Sequence, residues 1–220
     1  MNTEVKRGRF ITLEGGEGVG KSTQVSRLVE RLRGAGVDAI ATREPGGSPG
    51  AEALRHLLLS GKIKDLGPKA EAILFAAARI DHIDRKIAPA LAAGTWVVSD
   101  RFADSTRAYQ GLGGLDPGFL HALEHVTLGE IRPDLTLILD LPADIGLARA
   151  AQRRGSEASD RFEAEDLGFH AALRQAYLEI AAAEPARCVI VDAGLSEGEV
   201  AQAIWDTVSF RLLARAAHGA

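Results

Sequence analysis

Residues 15–22 (GGEGVGKS) have the types and spacing needed to hold a chain of phosphates. They fit the pattern G-x-x-x-x-G-K-[ST] and lie between a short apolar run and a helical pattern. Glycines let successive backbone N–H groups approach one phosphate, and a helix N-terminus adds partial positive charge. Lys21 would meet the outer phosphates, and the Ser22 hydroxyl would bind Mg²⁺. The predicted nucleotide-binding positions are Gly15, Gly16, Glu17, Gly18, Val19, Gly20, Lys21, Ser22 and Thr23.

A phosphate loop alone leaves three classes of protein open: a GTPase switch, an ATP-driven motor or binding module, and a phosphotransferase. A guanine-reading Asn-Lys-x-Asp motif is absent, because Asn2 is the only asparagine in the sequence. The 220 residues are also few for a motor with force-transmitting parts. A phosphotransferase is therefore favoured, and it needs an acceptor site.

Polar and aromatic residues that could form an acceptor site occur in four further segments. Phe75 and Arg79 are four residues apart and therefore share one helix face. Asp100 and Arg101 follow the third apolar run, where parallel sheets place their ligands. The other candidates are Glu44, Pro45 and Arg55 after the second run, Ser105, Thr106, Tyr109 and Gln110 after the third, and Arg149, Arg153, Arg154 and Arg161 further on.

These segments together resemble the thymidylate kinase (dTMP kinase) family in its bacterial form. The matching strings are LEGGEGVGKSTQ (13–24), REPGG (43–47), FAAAR (75–79), SDRF (99–102), AYQG (108–111) and RPDLT (132–136), in order over about residues 9–193. The resemblance implies that the chain transfers the γ-phosphate of ATP to dTMP with Mg²⁺ and gives dTDP. It also implies a homodimer, a mobile lid at about 149–162 and a cis peptide bond before Pro45.

The resemblance also implies how dTMP is bound. Phe75 would stack on thymine, Arg79 would reach its 4-carbonyl, and Thr106, with Gln110 beside it, would lie near N3. Tyr109 would crowd the sugar 2′ position and so favour deoxyribose. The remaining implied dTMP-binding positions are Glu17 at the 3′-hydroxyl, Arg55 and Arg101 at the phosphate, and Glu44, Pro45 and Ser105.

Phosphoryl transfer needs positioning and charge neutralisation rather than a general base, because the acceptor phosphate is already anionic. Some family members place an arginine inside the phosphate loop, but this chain has Gly18 there and carries arginines in the lid instead. We expect Arg153 to be the lid residue that acts on the transferring group. The predicted catalytic residues are Lys21, Arg101, Arg153, Asp100 and Glu17, with Ser22 and Asp100 at the metal and Arg149 and Asp192 at the adenine end.

Each assignment has a purely structural alternative. Phe75 could be a core residue, Arg79 a surface salt bridge, and Asp100 the cap of the following helix. Two functional alternatives also stay open. One is a kinase of another deoxynucleotide or of a nucleoside 5′-hydroxyl, and the other is a nucleotide-binding module without catalysis. Two positions depart from the family pattern: Phe102 replaces a commoner Tyr or His, and the charge on Arg107 has no assigned role.

The elements that must position these residues follow from the hydrophobic pattern. Apolar runs at 10–13, 37–42, 96–98, 135–139 and 189–191 alternate with helical patterns at 21–33, 50–59, 68–92, 102–112, 117–128, 143–153, 163–183 and 196–215. Such alternation predicts an α/β protein with a mainly parallel sheet between layers of helices. With the resemblance, it predicts a three-layer P-loop nucleoside monophosphate kinase fold with five strands, as a single domain over 1–220.

Composition limits the other possibilities. Apolar residues make up 46% of the chain, which argues against disorder, and the net charge of −4 argues against a general nucleic-acid partner. Cys188 is the only cysteine, so an internal disulfide is excluded, and its apolar neighbours predict that it is buried. No apolar run approaches the length of a membrane span. We therefore expect a cytoplasmic protein with no membrane partner.

Overall fold

The computed structural model describes residues 7–155 and 161–214. One sheet of five parallel strands crosses the molecule in the order β2-β3-β1-β4-β5, which confirms the predicted fold class. Because β1 is central, the loop that follows it emerges between the ends of β3 and β4. The strands are β1 (Phe10–Glu14), β2 (Ala39–Arg43), β3 (Trp96–Asp100), β4 (Leu135–Asp140) and β5 (Cys188–Asp192).

Helices connect the strands and cover both faces of the sheet. The helix expected over 68–92 is α3 and α4, joined by a π-helical turn at Ile83–Ile87. The helix expected from 163 begins at 167, because the Asp166 side chain accepts a hydrogen bond from the Phe169 N–H and caps it. The helices are α1 (Lys21–Gly34), α2 (Pro49–Leu59), α3 (Gly67–His82), α4 (Ala88–Ala92), α5 (Ala103–Leu112), α6 (Pro117–Leu128), α7 (Ala143–Arg154), α8 (Leu167–Ala183) and α9 (Glu197–Val208).

The hydrophobic core has three clusters, one on the α1–α9 face of the sheet and two on the other face, of which one joins β4 and β5 to α5 and α8. Ile11 and Leu13 of β1 pack with α1 and α9 on one face, while Phe10 packs with Phe102 and the α3–α4 region on the other. Strands buried on both faces read as continuous apolar runs, which is why the sequence pattern located them. Cys188 is buried, as predicted. Within the described ranges, none of the helices is both long and apolar enough to cross a membrane.

Candidate functional site

A cleft opens beside the phosphate loop, at the carboxyl ends of β1, β2 and β3. Parallel sheets bind ligands at this edge because the loops diverge there. The space within the cleft, including the part open to solvent, is roughly 1040 Å³. The sequence-predicted residues that line it are Glu17, Gly18, Gly20, Lys21, Ser22, Glu44, Pro45, Arg55, Phe75, Arg79, Asp100, Arg101, Ser105, Thr106, Tyr109, Gln110 and Arg153.

The remaining predicted residues lie elsewhere around the loop. Gly15, Gly16 and Val19 border a smaller cavity beneath it, and Thr23 is exposed on the first turn of α1. Arg149 and Asp192 lie outside the main cleft but close to each other. The Arg149 guanidinium donates to the Ala193 carbonyl (2.9 Å), and the Asp192 carboxylate accepts from the Gly194 N–H (2.8 Å). The structure thus groups the two residues that were expected at the adenine end.

Lys21 begins α1 and is folded back onto the loop. Its ammonium donates to the carbonyl oxygens of Gly15 (3.2 Å) and Gly16 (2.7 Å). Burial and repulsion from Arg101 lower the pKa of Lys21 to about 8, although Glu17 and other carboxylates act in the opposite direction. An anion bound at this point would raise the pKa of Lys21 again and keep its ammonium group protonated.

Gly18 packs against the backbone of α7, and no other residue type fits there. Its φ of +68° is in the left-handed region, and a Cβ atom on it would lie 1.9 Å from the Gly146 carbonyl oxygen. In return, a Cβ atom on Gly146 would lie 2.4 Å from the Glu17 carbonyl oxygen. An arginine at position 18 is therefore incompatible with this position of α7.

Ser22 and Asp100 face each other where α1 begins and β3 ends. The Ser22 hydroxyl donates a hydrogen bond to the Asp100 carboxylate. The cap position of α5 is Phe102, which has no side-chain cap, so Asp100 does not cap that helix. A hydroxyl and a carboxylate at one border of the cleft fit Mg²⁺, which prefers a few hard oxygen ligands and keeps its other positions for water and phosphate.

Arg101 joins β3 to the phosphate loop. Its φ of 69° is the only left-handed value among non-glycine residues in the described part of the chain. Its guanidinium donates to the Glu17 carboxylate (2.6 Å) and to the Gly15 carbonyl (3.0 Å). The strained backbone turn aims a partly buried cation across the mouth of the loop.

Glu17 is held by two donors in the cleft. Besides Arg101, the Tyr109 hydroxyl donates to it (2.8 Å). Burial alone would raise the pKa of Glu17, but the charges of Arg101 and Lys21 and the Tyr109 hydrogen bond together lower it to about 2. Glu17 is therefore ionised throughout the neutral range.

One wall of the cleft carries the predicted base-recognition residues. Phe75 is half-buried and borders the cleft, so it is not a core residue. Arg79 is 5% exposed, which rules out a surface salt bridge. Its guanidinium donates to the carboxylate of Glu44 (2.6 Å), to the Thr106 hydroxyl (3.0 Å) and to the Phe102 carbonyl (3.1 Å).

The β2 side of the cleft is shaped by the bond before Pro45. The Glu44–Pro45 peptide bond is cis, which confirms the sequence prediction. The Arg55 guanidinium donates to the Pro45 carbonyl (2.6 Å), so α2 holds this arginine over the cleft. Arg55 and Arg101 thereby lie on two different sides of the same space.

Helix α7, which contains the first part of the predicted lid, ends beside the cleft. Arg153 and Arg154 both pair with the Glu163 carboxylate, at 3.4 and 2.6 Å, but only Arg153 is among the residues bordering the cleft. Phe162 packs against Tyr109 (5.1 Å between ring centroids) and faces Phe75 (6.1 Å). Residues 156–160 of the predicted lid lie outside the described residues.

The comparisons with known proteins agree with this geometry. The family model described as thymidylate kinase matches residues 13–204. The chain belongs to the thymidylate kinase family. Thymidylate kinases of Bradyrhizobium diazoefficiens and Nitrobacter hamburgensis are 61% and 62% identical to it over 208 residues, which is 94% of this chain and 91% and 90% of theirs. The crystal structure of thymidylate kinase from Ehrlichia chaffeensis matches with a TM-score of 0.73 and 31% identity, over 92% of this chain and 99% of that one.

The two departures from the thymidylate kinase pattern both have structural explanations. Phe102 is fully buried and packs edge-on against Phe10, with ring centroids 4.8 Å apart. Arg107 forms ion pairs with Asp104 and Glu184, which ties α5 to the end of α8. Phe102 also borders the cleft, where its carbonyl accepts from Arg79, whereas Arg107 is not among the residues bordering the cleft.

Sequence reasoning missed Glu14, a fully buried carboxylate at the end of β1. It accepts hydrogen bonds from the Phe102 N–H (2.7 Å), the Ser105 hydroxyl (2.7 Å) and the Tyr177 hydroxyl (3.3 Å). Burial, with the nearby charge of Asp104, raises its pKa to about 7. A glutamate directly after an apolar strand was the signal that could have identified it.

Two further buried residues of α3 were also missed. The His82 ring bridges the Glu44 carboxylate (3.0 Å) and the Thr42 hydroxyl (2.7 Å), behind Arg79. Glu71 is 4% exposed and contacts Gln110. Glu71 precedes Phe75 and Arg79 by four and eight residues, so helical periodicity places all three on one face.

Proposed function

We propose that this chain transfers the γ-phosphate of ATP to dTMP and releases ADP and dTDP. The observation that carries the proposal is that the phosphate loop and the Phe75–Arg79 wall border one cleft, with Arg101 between them. A donor site alone would not require a base-sized wall with buried polar groups opposite the loop.

The phosphate loop would bind the donor. Its backbone N–H groups and the N-terminus of α1 attract the β- and γ-phosphates. Lys21 would exchange its carbonyl acceptors, Gly15 and Gly16, for phosphate oxygens, which are stronger acceptors because they are charged. We place adenine beside Arg149 and Asp192, at the end of β5.

Mg²⁺ would be held by Ser22 directly, with Asp100 as a ligand or as a partner of its water. A metal held by these residues would supply positive charge that offsets the negative charge developing on the phosphates during transfer. On binding, Ser22 would give up its hydrogen bond to Asp100 and turn an oxygen lone pair toward the metal.

The α3–α5 wall would bind the acceptor base. Phe75 offers an aromatic face, and stacking on such a face is worth about 1–3 kcal/mol for any base. Selectivity must come from Arg79 at the 4-carbonyl and from Thr106 and Gln110 at the N3 edge. Glu44 fixes the Arg79 guanidinium from behind, so that its remaining N–H groups are presented in one orientation.

Arginines would neutralise the transferring group. Arg55 and Arg101 would hold the acceptor phosphate from two sides, and Arg153 would approach from the lid. Arg101 would have to shift part of its contact from Glu17 to phosphate, which frees Glu17 for the 3′-hydroxyl of the sugar. The acceptor phosphate attacks as an anion, so no side chain has to remove a proton. Closure of the lid would exclude water as a competing acceptor.

We also propose a single domain, a cytoplasmic location and a homodimer that packs through α3. Ile73 and Ile80 are 50% and 40% exposed, and their spacing of seven residues places them on one face of α3. Val126 of the neighbouring α6 is 76% exposed. Sedimentation at micromolar concentration should give a dimer, and Ile73→Glu should give a monomer. A wild-type monomer would contradict the assembly.

The function is tested by ADP release from ATP and Mg²⁺ with a panel of acceptors. The panel contains dTMP, dUMP, UMP, dCMP, dAMP, dGMP and thymidine. We expect dTMP to give the highest kcat/KM. Release with thymidine alone would indicate a nucleoside kinase, and ATP binding without any acceptor activity would indicate a binding module.

A further inference from the structure

Glu71 is a buried carboxylate on α3 that stands behind the cleft and is not among the residues bordering it. One of its oxygens accepts a hydrogen bond from the side-chain amide nitrogen of Gln110 at 3.0 Å. Its other oxygen forms an ion pair with Arg161, near the end of the predicted lid. The charge of Glu71 is thus compensated, as a buried carboxylate requires.

This contact determines which end of the Gln110 amide faces the cleft. An ionised carboxylate can only accept hydrogen bonds, whereas the two ends of an amide are a donor and an acceptor. If the amide were reversed, two oxygens would face each other at about the same distance, without a proton between them. The NH₂ group must therefore point to Glu71. Gln110 is 3% exposed and borders the cleft, so its carbonyl oxygen is the group left for a ligand.

We propose that Glu71 is a positioning residue that sets base specificity by making Gln110 a hydrogen-bond acceptor. The proposal rests on the proposed function, in which the cleft binds a pyrimidine monophosphate. Thymine and uracil carry an N–H at ring position 3, and cytosine carries a lone pair there. An acceptor held in one orientation pairs with the first two and opposes the third. A site built in this way rejects the wrong edge strongly, because its own polar group would stay unpaired.

The variant Glu71→Gln tests this directly. A glutamine at position 71 can meet either end of the Gln110 amide, so the amide is free to turn and to present NH₂ to cytosine. We expect the ratio of kcat/KM for dTMP to that for dCMP to fall by about tenfold or more. The KM for ATP should stay unchanged, because Glu71 does not approach the phosphate loop. Glu71→Asp keeps the charge and should retain more of the ratio than Glu71→Gln.

A double-variant comparison shows whether Glu71 acts through Gln110. In a Gln110→Ala background, adding Glu71→Gln should leave the dTMP to dCMP ratio unchanged, since no amide remains to be oriented. Glu179→Gln is the matched control. The Glu179 carboxylate accepts a hydrogen bond from the Gln175 amide at 3.1 Å on the exposed side of α8. This variant therefore changes the same kind of glutamate–glutamine contact at a place outside the cleft.

Two results would overturn the role of Glu71. One is an equal loss of activity with both acceptors and an unchanged ratio, and the other is a further loss of ratio in the Gln110→Ala background. Thermal unfolding of each variant separates these results from a folding defect, and Glu71→Asp provides the comparison if Glu71→Gln does not fold. Wild-type enzyme that prefers neither dTMP nor dUMP would instead contradict the proposed function.

Discussion

The carboxylate of Glu17 and the guanidinium of Arg101 lie 2.6 Å apart across the mouth of the phosphate loop. The pair links the loop after β1 to the turn after β3, and both side chains border the space in which donor and acceptor would meet. Each of the two is also a predicted substrate contact. Substrate binding would therefore exchange part of this internal ion pair for contacts with the substrate. Arg101 would gain phosphate, and Glu17 would gain the sugar 3′-hydroxyl while still accepting from the Tyr109 hydroxyl.

Tyr109 contacts the same pair and provides a test of sugar selectivity. Its ring is proposed to crowd the 2′ position, whereas its hydroxyl only donates to Glu17. Tyr109→Ala should lower the preference for dUMP over UMP by about tenfold, measured as the ratio of kcat/KM values. Tyr109→Phe keeps the ring and should keep the preference. If Tyr109→Phe loses as much of the preference as Tyr109→Ala, the ring is not the excluding group.

Arg153 and Arg154 form a natural pair for testing the lid. They share Glu163, but only Arg153 borders the cleft. Arg153→Ala should lower kcat by more than about tenfold at saturating ATP and dTMP, since an arginine on the transferring group contributes about 10³–10⁵ in comparable enzymes. Arg154→Ala should stay within about threefold, because it removes only a partly exposed ion pair. Equal losses would reject the assignment to Arg153.

Glu14 predicts an unusual dependence of stability on pH. Its pKa is raised from 4.5 in the unfolded chain to about 7 in the fold, so the native state binds the extra proton between these values. The contribution of Glu14 to the free energy of unfolding is therefore full below pH 4.5 and is lost as pH rises through 7. The loss should amount to roughly 3 kcal/mol at most.

Urea unfolding at pH 5, 6 and 7.5 measures this loss. Glu14→Gln does not titrate and should show a flatter profile than the wild type over the same range. The low pKa of Glu17 changes the free energy of unfolding below pH 4.5, and the lowered pKa of Lys21 changes it from about pH 8 upward. Neither group therefore interferes strongly with the comparison. Parallel profiles for the two proteins would show that Glu14 does not take up the proton.

Lys21 predicts proton uptake on ATP binding. Its pKa of about 8 leaves part of the population neutral at pH 8.5, and nearby phosphates would raise that pKa. Calorimetry in two buffers of different ionisation enthalpy should reveal net uptake at pH 8.5, where ATP itself is fully ionised. Lys21→Arg keeps the charge without titrating and should bind ATP without uptake. Uptake that persists in this variant would assign the proton to another group.

The sequence predicts those parts of the fold and of the site that depend on the spacing of residues close together in the chain. The phosphate loop, the strands and the Phe75–Arg79 face depend on residues within a few positions of each other, so spacing reveals them. The contact of Glu14 with Tyr177 joins residues 163 positions apart, and that of Glu44 with His82 joins residues 38 apart. Such partners become neighbours only when the strand order is fixed. The sequence can therefore identify an isolated carboxylate in an apolar pattern, but it cannot predict which residues will form hydrogen bonds with that carboxylate.

The close packing of Gly18 on Gly146 also limits how the lid can move. The backbones of the phosphate loop and α7 are in direct contact here, without side chains between them. No side chain can therefore change its rotamer to accommodate a change in the distance between loop and helix. The part of α7 from Gly146 to Ala150 thus packs directly on the phosphate loop, and we expect it to stay with the loop when a nucleotide binds or leaves. We therefore expect a lid formed by the end of α7 to bend after Ala150, close to Arg153 and Arg154. Release of product would then depend on bending or unwinding of that helix, and not on swinging it as a rigid rod.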